Sequence, residues 1–389
     1  MDKFMFRERE IRRIEAALAR KESILLVGIR RTGKTQLMKE IVRRHNDGDG
    51  FGKRGKAVYL DVSDYRSLHH FYNDLLANLP KPFLQRMTEL LQPAKAIPNN
   101  VMDWLRRHIG KVSVPGYGGI DLRKPEEELD VTPYWDPIAR AMLKSLEDSS
   151  VSGEIAFFAI DEFPFMVENL LKDKVSSEEI NVALATLRKL RNSGIPMLLS
   201  GSISLENLLS LNNISHTVLG GLQRENLRPF SESEARSYLQ ELLGKHPAAA
   251  AIEVVLKRLP DYVPQFLEDS AYFLRGLPDA NDAKDVDSAM EAEVLPAIRR
   301  SFNEQFQERL YKHYPGDELY CAEQLLDQLA KAPETGAPID TSQLPSREHR
   351  QALIKLKYDM FIEEAPNHGY RFTLNILRLW WRNQRGMTE

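Results

Sequence analysis

The chain has 389 residues, enough for two or three domains at about 150 residues each. Its 53 basic against 56 acidic residues give a net charge of −3, which disfavours a globally basic nucleic-acid coat protein and an acidic disordered tail. A hydrophobic content of 42% supports a sizeable core, and the single cysteine, Cys321, excludes an internal disulfide and a cysteine-based zinc cluster. That usage points to a reducing, cytoplasmic compartment. No apolar run approaches the roughly 18–20 residues of a membrane span, and the start MDKFMFRERE is charged where a signal peptide is apolar, so no membrane partner is expected.

In chain order, Ile11, Ile14 and Leu18 predict a helix over 7–20. The burst Ile24-Leu25-Leu26-Val27 predicts a strand buried on both faces. A helix over 34–45, a flexible loop over 46–56, a second buried strand over 57–62 and a helix reaching residue 79 follow. Alternation of strand and helix is the pattern of an α/β layered domain with a parallel sheet. The pattern breaks over 92–136, where Val112–Val114 and Ile120–Leu122 flank a Pro-Gly-rich turn and predict an inserted hairpin. A helix over 136–148, a strand over 155–160, a helix over 178–191 and a strand over 197–200 complete this part. Beyond Pro229 the strand signals stop, and four helices are expected up to about residue 311. The last 75 or so residues read helix, loop, helix (346–357) and two short strands over 360–363 and 370–373.

Gly28-Ile29-Arg30-Arg31-Thr32-Gly33-Lys34-Thr35 satisfies G-x-x-x-x-G-K-[ST], set between a predicted strand and a predicted helix. The glycines let successive backbone N–H groups curl around a phosphate, and the helix N-terminus adds partial positive charge. Lys34 is the group expected to reach the β/γ oxygens, and Thr35 the hydroxyl expected to coordinate Mg²⁺. Residues 28–35 are therefore the expected ATP contacts.

The strand over 155–160 ends in two adjacent carboxylates, Asp161 and Glu162. Ligands of parallel sheets gather at the carboxyl ends of the strands. Asp161 is placed to hold Mg²⁺ through its water shell, and Glu162 to orient and deprotonate an attacking water. The fourth strand ends in Ser200-Gly201-Ser202. Ser200, and after it Ser202, is the candidate to sense the γ-phosphate or hold the water.

With these residues in view, the chain resembles the archaeal-type ATPase family, close to the STAND and AAA+ branches of the P-loop ATPases. The resemblance is carried by Phe4-x-x-Arg7-Glu8-x-Glu10, the double-arginine loop Gly28-x-Arg30-Arg31-x-Gly33-Lys34-Thr35, Ile160-Asp161-Glu162, Ser200-Gly201-Ser202 and Leu227-x-Pro229-Phe230-Ser231-x-x-Glu234-Ala235. It implies an α/β P-loop NTPase domain with a parallel sheet flanked by helices (1–228), an all-α lid (229–314) and a winged helix-turn-helix (315–389). It also implies nucleotide contacts from Phe4 and Arg7, and a γ-phosphate arginine at Arg224 or Arg228. Two positions depart from the pattern: Phe6 stands where a glycine is usual, and Pro260-Asp261-Tyr262-Val263-Pro264 stands where lids often carry Gly-Gly-x-Pro.

In the C-terminal part, Arg347, His349, Arg350, Lys355 and Lys357 share one helix with Glu348, and Arg378, Arg382 and Arg385 follow Arg371 with no acid between Arg371 and Arg385. Such a local cluster suits double-stranded DNA, while Leu353, Ile354 and Leu356 on the same helix suit a protein partner or a second copy of the chain. The expected function is an Mg²⁺-dependent, slow ATPase used as a conformational switch. The alternative is a nucleotide-modulated DNA- or protein-binding regulator, such as a defence or mobile-element accessory, in which turnover is incidental.

Overall fold

The computed structural model describes residues 5–50, 55–92, 97–110, 129–148, 153–244, 249–276, 282–337, 339, 344–365 and 369–387. The expected hairpin strands at 112–114 and 120–122, the wing tip Asn367-His368 and Phe4 lie outside them. The chain divides into two compact units: residues 1–27 with 34–226, and residues 28–33 with 227–389.

The first unit runs α1 (Glu8–Ala19), β1 (Ser23–Val27), α2 (Lys34–Asp47), β2 (Lys56–Asp61), α3 (Leu68–Ala77), α4 (Lys81–Leu91), α5 (Asn99–Gly110), α6 (Trp135–Glu147), β3 (Ile155–Asp161), α7 (Phe163–Lys172), α8 (Ser177–Asn192), β4 (Met197–Gly201), α9 (Leu205–Leu211) and β5 (Leu222–Asn226). The five strands form one parallel sheet in the order β2-β3-β4-β1-β5. β1 is buried at every position, as its run Ser-Ile-Leu-Leu-Val requires of a strand flanked on both sides and covered on both faces. Because all strands point one way, Val27, Asp61, Asp161, Gly201 and Asn226 collect at a single edge of the sheet.

Several elements escaped the sequence reading. β5 was not expected, because Leu-Gln-Arg-Glu-Asn is a half-exposed edge strand without an apolar run. Within 92–136, where a hairpin but no helix was expected, α5 packs Val101, Met102, Trp104 and Leu105 inward. α4, α7 and α9 were also not anticipated.

The second unit carries α10 (Glu232–Leu243), α11 (Ala249–Arg258), α12 (Pro264–Arg275), α13 (Ala283–Ala289), a π-helical turn (Met290–Val294), α14 (Leu295–His313), α15 (Asp317–Lys331), α16 (Arg347–Tyr358), β6 (Ile362–Glu364), β7 (Tyr370–Phe372) and α17 (Asn375–Gln384). β6 and β7 pair antiparallel. The expected single helix near 286–311 is interrupted by the π turn just before Pro296, whose missing N–H removes one rung of the α ladder. Ser231 and Glu234 form a reciprocal capping box at the start of α10, with the Ser231 amide 2.8 Å from Glu234 Oε2.

A row of buried aromatic rings threads this unit. Phe266 of α12 meets Phe302 at 5.3 Å, Phe302 meets Phe306 at 4.7 Å, and Phe306 meets Phe361 at 5.4 Å. Asp261 adds a polar clasp: its carboxylate accepts the amides of Asn375 (2.9 Å) and Ile376 (2.8 Å), capping α17 from a distant loop. Burial pushes the Asp261 carboxyl up to about 7 against the lowering effect of those two donors. The folded chain then keeps a proton that the unfolded chain has lost, so this group's contribution to stability is full below about pH 4 and falls as pH rises towards 7. Asp261→Asn is expected to reduce the loss of stability between pH 4 and 8 by roughly 2–4 kcal/mol, read from urea midpoints across that range. An unchanged pH profile would count against it.

Candidate functional site

The loop between β1 and α2 is built for tight backbone curvature. Gly33 has φ +92° and Arg31 φ +74°, a left-handed conformation that is rare for a residue with a side chain and costs about 1–3 kcal/mol. Gly28 must lack a side chain, since a Cβ there would stand 2.9 Å from both the Leu227 carbonyl oxygen and Thr32 Oγ1. Thr32 is fully buried and its hydroxyl donates to the Ile29 carbonyl at 2.8 Å, so it braces the loop from within. Arg31 forms no ion pair or hydrogen bond among the described residues. Lys34 opens α2 and is 4% exposed, with Thr35 half-buried beside it.

At the sheet edge of the first unit, the ends of β3 and β4 interlock. Asp161, 1% exposed, accepts the Ser200 hydroxyl and the Glu162 amide (3.1 Å) on Oδ1, and the Tyr59 hydroxyl at 3.0 Å on Oδ2. Burial first, and the Asp161 charge second, push the Tyr59 phenol well up, so it stays a proton donor. Glu162 sits in the left-handed region at φ 54°. Its amide also reaches Ser200 Oγ at 3.1 Å. Its carboxylate is taken by Ser202, the hydroxyl donating to Oε1 at 2.7 Å and the amide to Oε2 at 3.2 Å. Between the two serines, Gly201 lies against Pro164: a Cβ would meet Cγ at 2.5 Å. Each residue of Ser200-Gly201-Ser202 thus has its counterpart in the segment 161–164.

These residues offer hard oxygen ligands. Asp161 keeps one lone-pair site on Oδ2, and the Thr35 hydroxyl has no partner among the described residues, a donor set that fits Mg²⁺. Among the described residues, no group of three or more His, Cys, Asp and Glu side chains forms a metal cage by itself.

The structure brings Asp161, Glu162, Ser200 and Ser202 together and adds Tyr59, which the sequence reading missed. Its signal was a polar-tipped aromatic inside a buried strand, two residues before that strand's carboxyl end. Arg224 on β5 is instead held by Glu206 of α9 at 2.7 Å. Arg228 is exposed and lies 3.5 Å from Glu363 in the second unit. Arg7 is 7% exposed and pairs with Glu10 at 3.4 Å.

The C-terminal basic cluster is smaller than its sequence suggested. Lys355 and His349 point inward, Lys355 to Glu318 at 2.6 Å and His349 Nε2 to Gln324 Oε1 at 2.8 Å. Lys357 pairs with Glu364, Arg371 with Glu363 (2.9 Å) and Arg385 with Glu323 (2.8 Å). Arg378 and Arg382 donate to the Ala332 (2.9 Å) and Ala330 (3.1 Å) carbonyls. On the outward face of α16, Arg347 and Arg350 are exposed and make no such contact among the described residues.

No described helix is long and apolar enough to cross a membrane. No family model matches the chain, and no curated protein matches it. Among solved structures it is similar to domain III of the replication initiation protein DnaA from Thermotoga maritima (12% identity, TM-score 0.40), covering 76% of this chain and 93% of that one. It is similar to the ORC2 protein of Aeropyrum pernix in its ADPNP–ADP complexes (13% identity, TM-score 0.47, 98% and 95% covered). The ADP form of that protein gives 14% identity and a TM-score of 0.46, with 99% and 95% covered.

Proposed function

We propose that the chain is a P-loop ATPase, in which residues 28–35 cradle the nucleotide phosphates, Asp161 and Thr35 hold Mg²⁺, and Glu162 activates water. The observation that carries it is the carboxylate pair Asp161-Glu162 at the end of β3, on the same sheet edge as the end of β1 that leads into Gly-x-x-x-x-Gly-Lys-Thr. A protein that merely holds nucleotide has no need of a second carboxylate there. Mg²⁺ supplies charge neutralisation of the β- and γ-phosphate oxygens. Lys34 adds a buried cation, and Ser200 and Tyr59 fix the Asp161 carboxylate. Residues 1–228 form the catalytic part in this reading, with 229–314 as lid and 315–389 as a winged helix. Arg7 flanks the nucleotide, and Arg224 or Arg228 serves the γ-phosphate after leaving its present acidic partner. The test is Mg²⁺-dependent phosphate release from ATP by the full chain. Absence of both release and ATP binding defeats the reading.

A second reading, DNA association through α16, is favoured by one observation: Arg347 and Arg350 are exposed and make no ion pair or hydrogen bond among the described residues. Removing two cations that neutralise backbone phosphates should reduce the slope of log affinity against log salt by about 1.8. An Arg347/Arg350 double alanine variant is therefore expected to bind double-stranded DNA more weakly, with a flatter salt response. Equal slopes for the two proteins rule out this helix as the DNA-binding element.

A further inference from the structure

The second unit holds a cavity of about 220 Å³, lined by the Asp261 loop, the end of α15 with the residues after it, β7 and the start of α17. That volume is below the roughly 300–1,000 Å³ of sites for drug-sized ligands, so the cavity suits a smaller molecule. Three side-chain atoms of its lining are buried without a hydrogen-bond partner among the described residues: Thr373 Oγ1, Asn375 Oδ1 and Arg378 Nε. A buried polar atom left unmatched is costly, and three around one cavity call for a common partner. They are of two kinds. The Arg378 Nε–H and the Thr373 hydroxyl can donate, while Asn375 Oδ1 accepts.

The charges around the cavity are also mixed. Arg378 Nη1 lies 3.5 Å from Glu334 Oε1, longer than the hydrogen bond of a tight ion pair. Arg371 is already held by Glu363 at 2.9 Å, and Asp261 already accepts the amides of Asn375 and Ile376. A lone anion here would face Glu334, and a lone cation would face Arg378. A molecule that carries both signs avoids either repulsion. Leu329 and Phe372 add an apolar wall.

We propose that this cavity binds a small zwitterion, a free α-amino acid with an aliphatic side chain. Its carboxylate accepts from Arg378 Nε and the Thr373 hydroxyl, and its ammonium donates to Asn375 Oδ1 and Glu334. Its side chain lies against Leu329 and Phe372. The site uses no residue of the phosphate loop or of the β3 and β4 ends, so it stands or falls apart from the ATPase reading.

The full chain is titrated calorimetrically with L-alanine, L-valine and L-leucine, and with propionate and ethylammonium as single-charge controls. At least one of the amino acids is expected to bind with a Kd of about 1 mM or lower, and both controls at least about tenfold more weakly. Thr373→Val keeps the shape and removes a hydroxyl that no described residue engages. Its urea midpoint without ligand should therefore not fall, while affinity drops about tenfold, the scale of one hydrogen bond to a charged group. Thr373→Ser keeps the hydroxyl and should bind as wild type. Arg378→Lys keeps the charge, loses the Nε donor, and should weaken binding similarly; it serves if the valine chain does not fold. Absence of binding by all three amino acids at about 10 mM overturns the site and leaves the cavity to water. Propionate or ethylammonium binding as tightly as the amino acids, or wild-type affinity in Thr373→Val, overturns it equally.

Discussion

Glu162→Gln is expected to lower ATP turnover by about 10²–10⁴-fold, the usual worth of a positioned general base, while nucleotide affinity stays within about twofold of wild type. Glutamine has nearly the same shape and its side-chain oxygen still accepts the Ser202 hydroxyl, while its NH₂ group cannot replace Oε2 as acceptor of the Ser202 amide. What it loses is the capacity to take a proton from water. Single-turnover phosphate release alongside titration with a fluorescent nucleotide separates the two quantities. Hydrolysis at the wild-type rate in this variant refutes the assigned base.

Lys34→Ala is expected to act on binding instead. Lys34 is buried at the first residue of α2, so its ammonium would meet the phosphates away from bulk water. Removing one partner of a desolvated, hydrogen-bonded charge pair costs about 2–5 kcal/mol, or roughly 30- to several-thousand-fold in affinity. Alanine is the best helix former, which argues against unfolding of α2 as the cause. Calorimetric titration with Mg²⁺-ATP checks the outcome, and an affinity within about threefold of wild type would remove Lys34 from the proposed site.

Much of the α/β part was legible because its signals are local. Ile24–Val27 and Ile155–Ile160 are strands because uninterrupted apolar runs can be buried only in the middle of a sheet, and the observed order places β1, β3 and β4 there. The carboxylates Asp161 and Glu162 could be read as a site because strand direction alone sends them to one edge. Their partners could not. Nothing in the sequence pairs Tyr59 with Asp161 across 102 positions, or Ser202 with Glu162 across 40. These contacts depend on strand order, which periodicity does not encode. The C-terminal cations show the opposite error: charge counted along a helix says nothing of which side chains turn inward, and Lys355 and His349 turn inward. Part of the family-like motif also has a purely local cause, since Ser231-x-x-Glu234 is a capping box that any such helix start would favour.

The aromatic row from Phe266 to Phe361, together with the Asp261 clasp on α17, has a mechanical consequence. Close-packed rings transmit displacement without taking it up, so the segment around α12 has no slack against the segment carrying β6 and α17. Within the second unit, the ring contacts and the two Asp261 hydrogen bonds thus join α12 and α14 to β6 and α17. Loosening Phe266 or Asp261 is therefore felt at β6 and α17, far along the chain from either residue.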